Sequence, residues 1–294
     1  MLYVILCVCF NVTVSVLFKL AKRYHIDVYQ AVTWNYSTAV LLTWIFLRPQ
    51  FVHLGQAPFL VYCALGVLLP FLFLIIAASV RITGIVRTDV AQRLSLFIPV
   101  LAAFLIFGEK LDGINLTGII IGFAAILCCI PWQKQTAGKK ISANTWIYLF
   151  VVFLGMGIID ILFKQVALYT DISSNTSLFI VFALAFTLSF IGLIYQVATK
   201  KMRFSWPHIP IGWVLGVANF GNILFFIKAH KALANHPSIV FSSVNVGIIL
   251  LGALTGLFIF KEKLSTINKA GIFLAVIAIM IISYHQYIVT HLLS

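Results

Sequence analysis

An all-α membrane protein of ten transmembrane helices, arranged as two inverted five-helix repeats, is the fold class the sequence predicts. Three observations lead there. Of 294 residues, 62% are hydrophobic and 9% charged, with a mean hydropathy of +1.10, whereas a water-soluble domain carries about 25% charged residues. Apolar runs of roughly 20 residues, the length that crosses about 30 Å of hydrocarbon, recur ten times. Residues 106–126 (IFGEKLDGINLTGIIIGFAAI) return as residues 259–279 (IFKEKLSTINKAGIFLAVIAI), with 11 identities in 21 positions at an offset of 153. This reads as a tandem duplication. Each copy holds an odd number of spans, so the second copy enters the bilayer in the opposite sense to the first.

The first repeat, residues 1–132, holds apolar runs at about 1–21, 28–47, 57–80, 84–107 and 113–131. The second, residues 145–294, holds runs at about 145–169, 174–198, 209–230, 235–260 and 266–289. Helix is the form required of each, because backbone amides facing lipid must be satisfied within their own segment and no alternating barrel pattern is visible. The first run has no basic residue before it, has Lys19, Lys22 and Arg23 at and beyond its end, and lacks a small-residue cleavage site. It is therefore a spanning helix and not a signal peptide. Pro70 and Pro99 fall inside spans 3 and 4 and predict kinks, since each removes a backbone hydrogen bond. The polar stretch 133–144 (QKQTAGKKISAN) is a linker between the repeats. Gly118 with Gly122, Gly212 with Gly216, and Gly252 with Gly256 have the four-residue spacing that lets membrane helices approach closely.

Basic residues outnumber acids 20 to 7, but they sit in the short gaps between apolar runs and form no single patch. Membrane orientation explains them better than nucleic-acid binding. Loops after odd-numbered spans hold 12 Lys and Arg; the opposite side holds four, Arg48, Lys110, Lys228 and Lys231. By the positive-inside bias the richer side is cytoplasmic and both termini face outward. Cys7, Cys9, Cys63, Cys128 and Cys129 lie in apolar segments without metal or disulfide spacing and read as small core residues.

Polar groups at membrane depth mark the candidate site, because a charge there costs about 2.5–3.5 kcal/mol on insertion scales. Span 4 is the richest, with Arg87, Asp89, Gln92 and Arg93. Asp89, Gln92 and Arg93 share a helical face, so Arg93 is either an anion-binding group for substrate or the ion-pair partner of Asp89. In span 6, Asp160 and Lys164 are spaced one turn apart. They are either a self-neutralised pair or, through Asp160, a proton-coupling site. Asn11 and Ser15, Trp34 and Asn35, Asn219 and Asn222, and Ser242, Ser243 and Asn245 offer hydrogen bonds and an aromatic platform. Asn245 is equivalent to Gln92 at the repeat offset, which allows two amides to face each other across a pseudo-axis. Lys228, His230 and Lys231 read as membrane-interface residues, and Lys19 as a lysine that snorkels to the headgroups.

Ten spans in two halves resemble the drug/metabolite transporter superfamily, EamA-like branch. Gly108, Glu109, Lys110 and Leu111 close span 4, and the related Lys261, Glu262, Lys263 and Leu264 close span 9. The resemblance covers nearly the whole chain, and the repeated Glu-Lys-Leu turn is its strongest element. It implies a carrier that moves small metabolites or xenobiotics by alternating access. Members handle amino acids, nucleotide sugars, phosphorylated sugars and drugs, so substrate does not follow from fold. The ten-helix members usually keep both termini in the cytoplasm, opposite to the charge count here.

Inverted helical repeats describe many secondary transporters, with substrate held between the repeats near the midplane. The sequence therefore predicts a secondary active transporter of a small metabolite, anionic or zwitterionic because intramembrane Lys and Arg outnumber acids. Its rivals are a proton-coupled exporter of cationic drugs, which would lean on Asp160 or Asp89, and a non-transporting membrane subunit. No Walker loop and no His-Glu-x-x-His pattern is present, so neither an ATPase nor a zinc enzyme is expected, and no cofactor or metal. The expected partners are a small-molecule substrate, the lipid bilayer and a second copy as a homodimer, with no nucleic acid. The expected location is multi-pass in a bacterial inner (plasma) membrane.

Overall fold

A computed structural model describes the chain apart from residues 24–25, 52–54, 56, 83–84, 110–112, 130–142, 259–265 and 293–294. Among the described residues it is helical throughout, with no strand. The elements are α1 (Leu2–Arg23), α2 (Val28–Leu42, continued by a π-helical turn Thr43–Leu47), α3 (Phe59–Ile82), α4 (Ile85–Leu94), α5 (Phe97–Leu105), α6 (Gly113–Cys129), α7 (Ala143–Leu168), α8 (Ser174–Ala198), α9 (His208–Ala232), α10 (Pro237–Phe258) and α11 (Thr266–Leu292).

Local chemistry sets several of these boundaries. The Asp27 carboxylate accepts from Gln30 N at 3.1 Å and caps α2. The π turn after α2 ends at Arg48, which is left-handed with φ 45°. The expected fourth span is divided, and Pro99 is the reason. It has no N–H to offer the Ser95 carbonyl and its ring crowds that oxygen, so α4 stops at Leu94 and α5 begins at Phe97. The break is bridged by Ile98 N, which donates to Ser95 O at 3.0 Å, and by Ser95 Oγ, which donates to Gln92 O at 2.6 Å. Pro70 does not divide its helix, and α3 runs through it.

Among the described residues, five helical stretches are long and apolar enough to cross a membrane: Phe59–Val80, Trp146–Leu168, Ser174–Ala198, His208–Ala232 and Pro237–Phe258. Shorter apolar helical stretches occur at Leu2–Leu17, Ala91–Leu105, Leu116–Cys128 and Lys269–Ala278. Leu60, Leu105, Phe46, Phe258 and Phe273 stand exposed on the outside of the bundle. An apolar exterior on this scale is unfavourable in water and natural in lipid.

Packing alternates between the two halves of the chain. α9 lies against α1 and α2, and α3 lies against α7 and α8. α2 also meets α8, α6 pairs with α11, and α10 meets α1, α5, α6 and α11. Polar contacts hold α2 and its π turn at both ends, one to the loop after α8 and the other to the start of α8. Gln30 Nε2 donates to Arg203 O and Gln30 Oε1 accepts from Ser205 N, both at 3.0 Å, while Asn175 Nδ2 donates to Leu47 O at 3.1 Å. Near Asn175, in the first turn of α8, Tyr62 OH and Ser177 Oγ share a buried 2.7 Å hydrogen bond that joins α3 to α8.

Of the three predicted glycine pairs, Gly212 with Gly216 marks a helix crossing. A Cβ added at Gly212 would lie 2.5 Å from Trp34 Cβ, and one at Gly216 would lie 2.6 Å from both Asn35 O and Thr38 Cβ. Only hydrogen fits between α2 and α9 here. At Gly252 a Cβ would meet nothing within 4 Å, so that position is not a crossing point. Gly216→Val is therefore expected to lower stability by about 1–3 kcal/mol through overpacking, while Gly252→Ala is near neutral. Thermal unfolding in detergent micelles checks the contrast; equal melting temperatures for the two variants would contradict it.

Candidate functional site

Three helices bring polar side chains to a common level by one-turn spacing. On α9 the face carries Asn219, Asn222, Phe226 and His230; on α1 it carries Cys7 and Asn11; on α7 it carries Asp160 and Lys164. The Cys7 thiol donates to Asn222 Oδ1 at 3.3 Å, and Asn11 Nδ2 donates to the same oxygen at 3.4 Å. Asp160 acts electrostatically on the Cys7 thiol. Its carboxylate is therefore within electrostatic reach of Cys7. Asp160 is half-buried, and no hydrogen bond or ion pair reaches its carboxylate among the described residues.

Of the two readings of Asp160 and Lys164, the self-neutralised pair does not form. Lys164 is fully buried, and its Nζ donates to Ala234 O at 2.9 Å, lies 5.9 Å from the centre of the Phe107 ring and feels the Glu109 carboxylate. The cause is the turn after α9. It leaves the Ala234 carbonyl without a helical partner, and Glu109 adds negative charge nearby, so the ammonium is stabilised away from Asp160.

Glu109 belongs to the turn that the sequence repeats. Gly108 takes a left-handed conformation, φ +66°, and Glu109 N donates to Ala103 O at 3.0 Å, which closes α5. The Glu109 carboxylate is thereby delivered to the start of α10. Its Oε2 accepts from Ser238 N at 2.8 Å and its Oε1 from Ser238 Oγ at 2.6 Å, with His236 Nδ1 at 3.8 Å. Pro237 occupies the first position of α10, where no N–H is needed, and the carboxylate meets the positive end of the helix dipole. Between this junction and the Asn222 cluster lie rings packed edge-on or tilted against one another. Phe226 is 6.4 Å from Phe163, 6.2 Å from Phe241 and 4.6 Å from His230, and His230 is 4.5 Å from Phe241.

The remaining predicted residues are dispersed. Asn245 Nδ2 donates to Phe241 O of its own helix at 2.9 Å, so it does not form the amide pair expected with half-buried Gln92. Arg93 is half-buried in the last turn of α4 and has a partner. The Asp89 and Lys19 side chains lie outside the described residues. Trp34 packs edge-on against Phe190 and over Gly212, in the α2–α8–α9 seam. Asn35 is buried in that seam with both ends of its amide unpartnered, Asn219 is buried with Nδ2 unpartnered, and Ser243 is buried with Oγ unpartnered. His230 is not an interface residue; it is fully buried, and neither ring nitrogen has a partner. Cys7, Glu109 and Ser238 were not among the expected site residues. The four-residue spacing of Cys7 and Asn11 was the available signal for the first, and the repeated turn for the second. Among the described residues, no three His, Cys, Asp or Glu converge as a metal site.

No protein-family model matches the chain. A protein of Haemophilus influenzae described as uncharacterized is 41% identical over 298 residues, covering 98% of this chain and 99% of that protein. The chain belongs to that protein's family. A solved crystal structure of a protein with 10% identity superposes with a TM-score of 0.74 over 97% of this chain and 96% of the other. That likeness shows a shared fold.

Two substitutions separate the compensated charge from the uncompensated one. Glu109→Ala strands a buried Ser238 N–H and hydroxyl and is expected to cost about 1–3 kcal/mol. Asp160→Asn removes a charge that has no partner and is expected to leave stability unchanged or raised. Thermal unfolding in detergent distinguishes them; a larger loss for Asp160→Asn would mean that its carboxylate is paired.

Proposed function

We propose that the protein is a secondary active transporter that moves a small zwitterionic metabolite, one bearing a protonated amine, across a bacterial plasma membrane by alternating access. In this reading ten spans form two inverted five-helix halves. The long apolar helices supply five, and α1, α2 with its π turn, α4 with α5, α6 and α11 supply the rest. The reciprocal packing supports it: α3 of the first half sits on α7 and α8 of the second, and α9, its counterpart in order, sits on α1 and α2. The repeated Glu-Lys-Leu turn supports membership of the EamA-like branch of the drug/metabolite transporters. The relative's bacterial source supports the membrane assigned. The reading is of a carrier and not an enzyme.

The observation that carries the proposal is the uncompensated Asp160 carboxylate within electrostatic reach of Cys7, whose thiol joins Asn11 and Asn222 where α9 lies against both α1 of the first half and α7 of the second. A charge at this depth is costly unless something meets it. A substrate ammonium or a proton does so in turn, which couples the two fluxes. Asn219, one turn before Asn222, has an amide NH2 free for the substrate's other end. A purely anionic substrate loses support, because Lys164 is spent on Ala234. A cationic substrate is the second reading, favoured by the same lone carboxylate.

Uptake into vesicles containing the purified protein tests the proposal. A proton ionophore is expected to collapse gradient-driven uptake, an amine-only analogue to compete and an acid-only analogue not to. Asp160→Asn is expected to lower gradient-driven uptake at least about tenfold, the loss of about 1.4 kcal/mol of interaction. Full uptake by that variant removes Asp160 from the mechanism. Ligand binding without flux in the parent protein replaces the carrier with a non-transporting subunit.

A further inference from the structure

The Asp160 cluster lies beneath one particular end of the bundle. Along α9, Asn222, Phe226 and His230 succeed one another at single turns, and Ala234 follows just past the helix end, about 18 Å from Asn222 at 1.5 Å per residue. Along α7, Lys164 stands one turn beyond Asp160 toward the same end. At that end the close of α5, the start of α10 and the α9–α10 turn converge. This is the face opposite the loops rich in Lys and Arg.

We propose that Glu109, Ser238 and Lys164 form the closed gate of that face, a polar latch over an aromatic plug, and that its release opens the Asp160 cluster to the outside. The assignment rests on the carrier reading above. Glu109 at the end of α5 belongs to the first half of the chain, and Ser238 at the start of α10 belongs to the second, so their two hydrogen bonds tie half to half. Lys164 adds a second tie: it fixes α7 to the α9–α10 turn through Ala234 O and stands over Phe107 at the end of α5. Phe163, Phe226 and Phe241 fill the space below.

Two features suit this end to a second arrangement. His230 is fully buried against Phe226 and Phe241 with both nitrogens unpartnered, and Ser242, one turn after Ser238 on α10, is buried with its hydroxyl unpartnered. Buried polar groups are normally bonded. Groups left unpaired directly under the latch gain partners when the plug parts and water or substrate enters. Gly108, at φ +66°, supplies a turn that only a residue tolerant of the left-handed region holds without strain, which sets the carboxylate in register when the gate is shut.

Cys7, at the level of the cluster, is a reporter below the latch. In a version with Cys9, Cys63, Cys128 and Cys129 replaced by alanine, reconstituted in vesicles, a membrane-impermeant maleimide is added from the latch face. Labelling of Cys7 is expected to be slow in this parent and about tenfold faster in Glu109→Ala and in Lys164→Met, the population shift that loss of one charge-assisted bond permits. Glu109→Gln, which keeps an acceptor for Ser238, is expected to fall between. In a second arm, Glu109→Cys with Ser238→Cys is joined by a short methanethiosulfonate cross-linker, which is expected to stop flux until a reductant is added. Parent-like labelling in folded Glu109→Ala and Lys164→Met, or undiminished flux through the cross-linked protein, overturns the latch. Absence of flux in the parent removes the carrier reading, while the labelling rates still decide whether this end opens.

Discussion

Hydrocarbon offers no hydrogen bonds, and the arrangement of this protein follows from that constraint. Backbone groups satisfy it by helix formation. Hydroxyls within the spans satisfy it locally: Thr33, Thr43, Thr187, Ser189 and Thr255 each donate to the carbonyl four residues earlier in their own helix. Even the interruption at Pro99 is patched from inside, by Ser95 Oγ on Gln92 O. Against this background, a side chain that bonds to another helix is the exception. The exceptions include Thr33 and Tyr62, which reach α8, the Asn222 cluster on α9, and Glu109 with Ser238 of α10.

Close helix approach is what lets those exceptions meet. Gly212 and Gly216 bring α9 against the backbone of α2, and Gly221 lets Phe10 of α1 lie where a Cβ would sit only 2.6 Å from its ring. With α9 held against α1 and α2, its polar face turns toward Cys7 and Asn11, while Phe226, one turn on, meets α7 and α10 and His230, two turns on, meets α10. Dispersion and shape, not apolar transfer, hold such contacts when the surrounding solvent is itself apolar. The polar cluster is thus positioned by the smallest side chains in the chain.

Charges within the bundle divide into two kinds. Glu109 and Lys164 are compensated, one by a helix N-terminus and a serine, the other by a loose carbonyl and a phenyl ring. Asp160 is not. Coulombic energies at this depth are large, so a lone carboxylate beside an amide cluster is the feature from which a ligand or proton site is best argued. The contrast between the two kinds is also spatial: the compensated pair lies at one end of the bundle, with the uncompensated group below it and aromatic rings between.

Composition and run length by themselves determined that the chain is helical and apolar enough to enter a membrane, because those properties depend on solvent and on segment length and not on neighbours. Most helix positions were legible for the same reason, as was the close crossing at Gly212 and Gly216. Spacing along one helix was a poorer guide to partners. Asp160 and Lys164 are one turn apart and unpaired, and Asn245 turns back to its own carbonyl. Only the tertiary structure decided that Lys164 finds Ala234, that Glu109 crosses to α10 and that Cys7 joins Asn222, residues 70, 129 and 215 positions apart. A buried polar group takes whichever partner the fold brings nearest, and that choice is made between helices, where a one-dimensional pattern carries no distance.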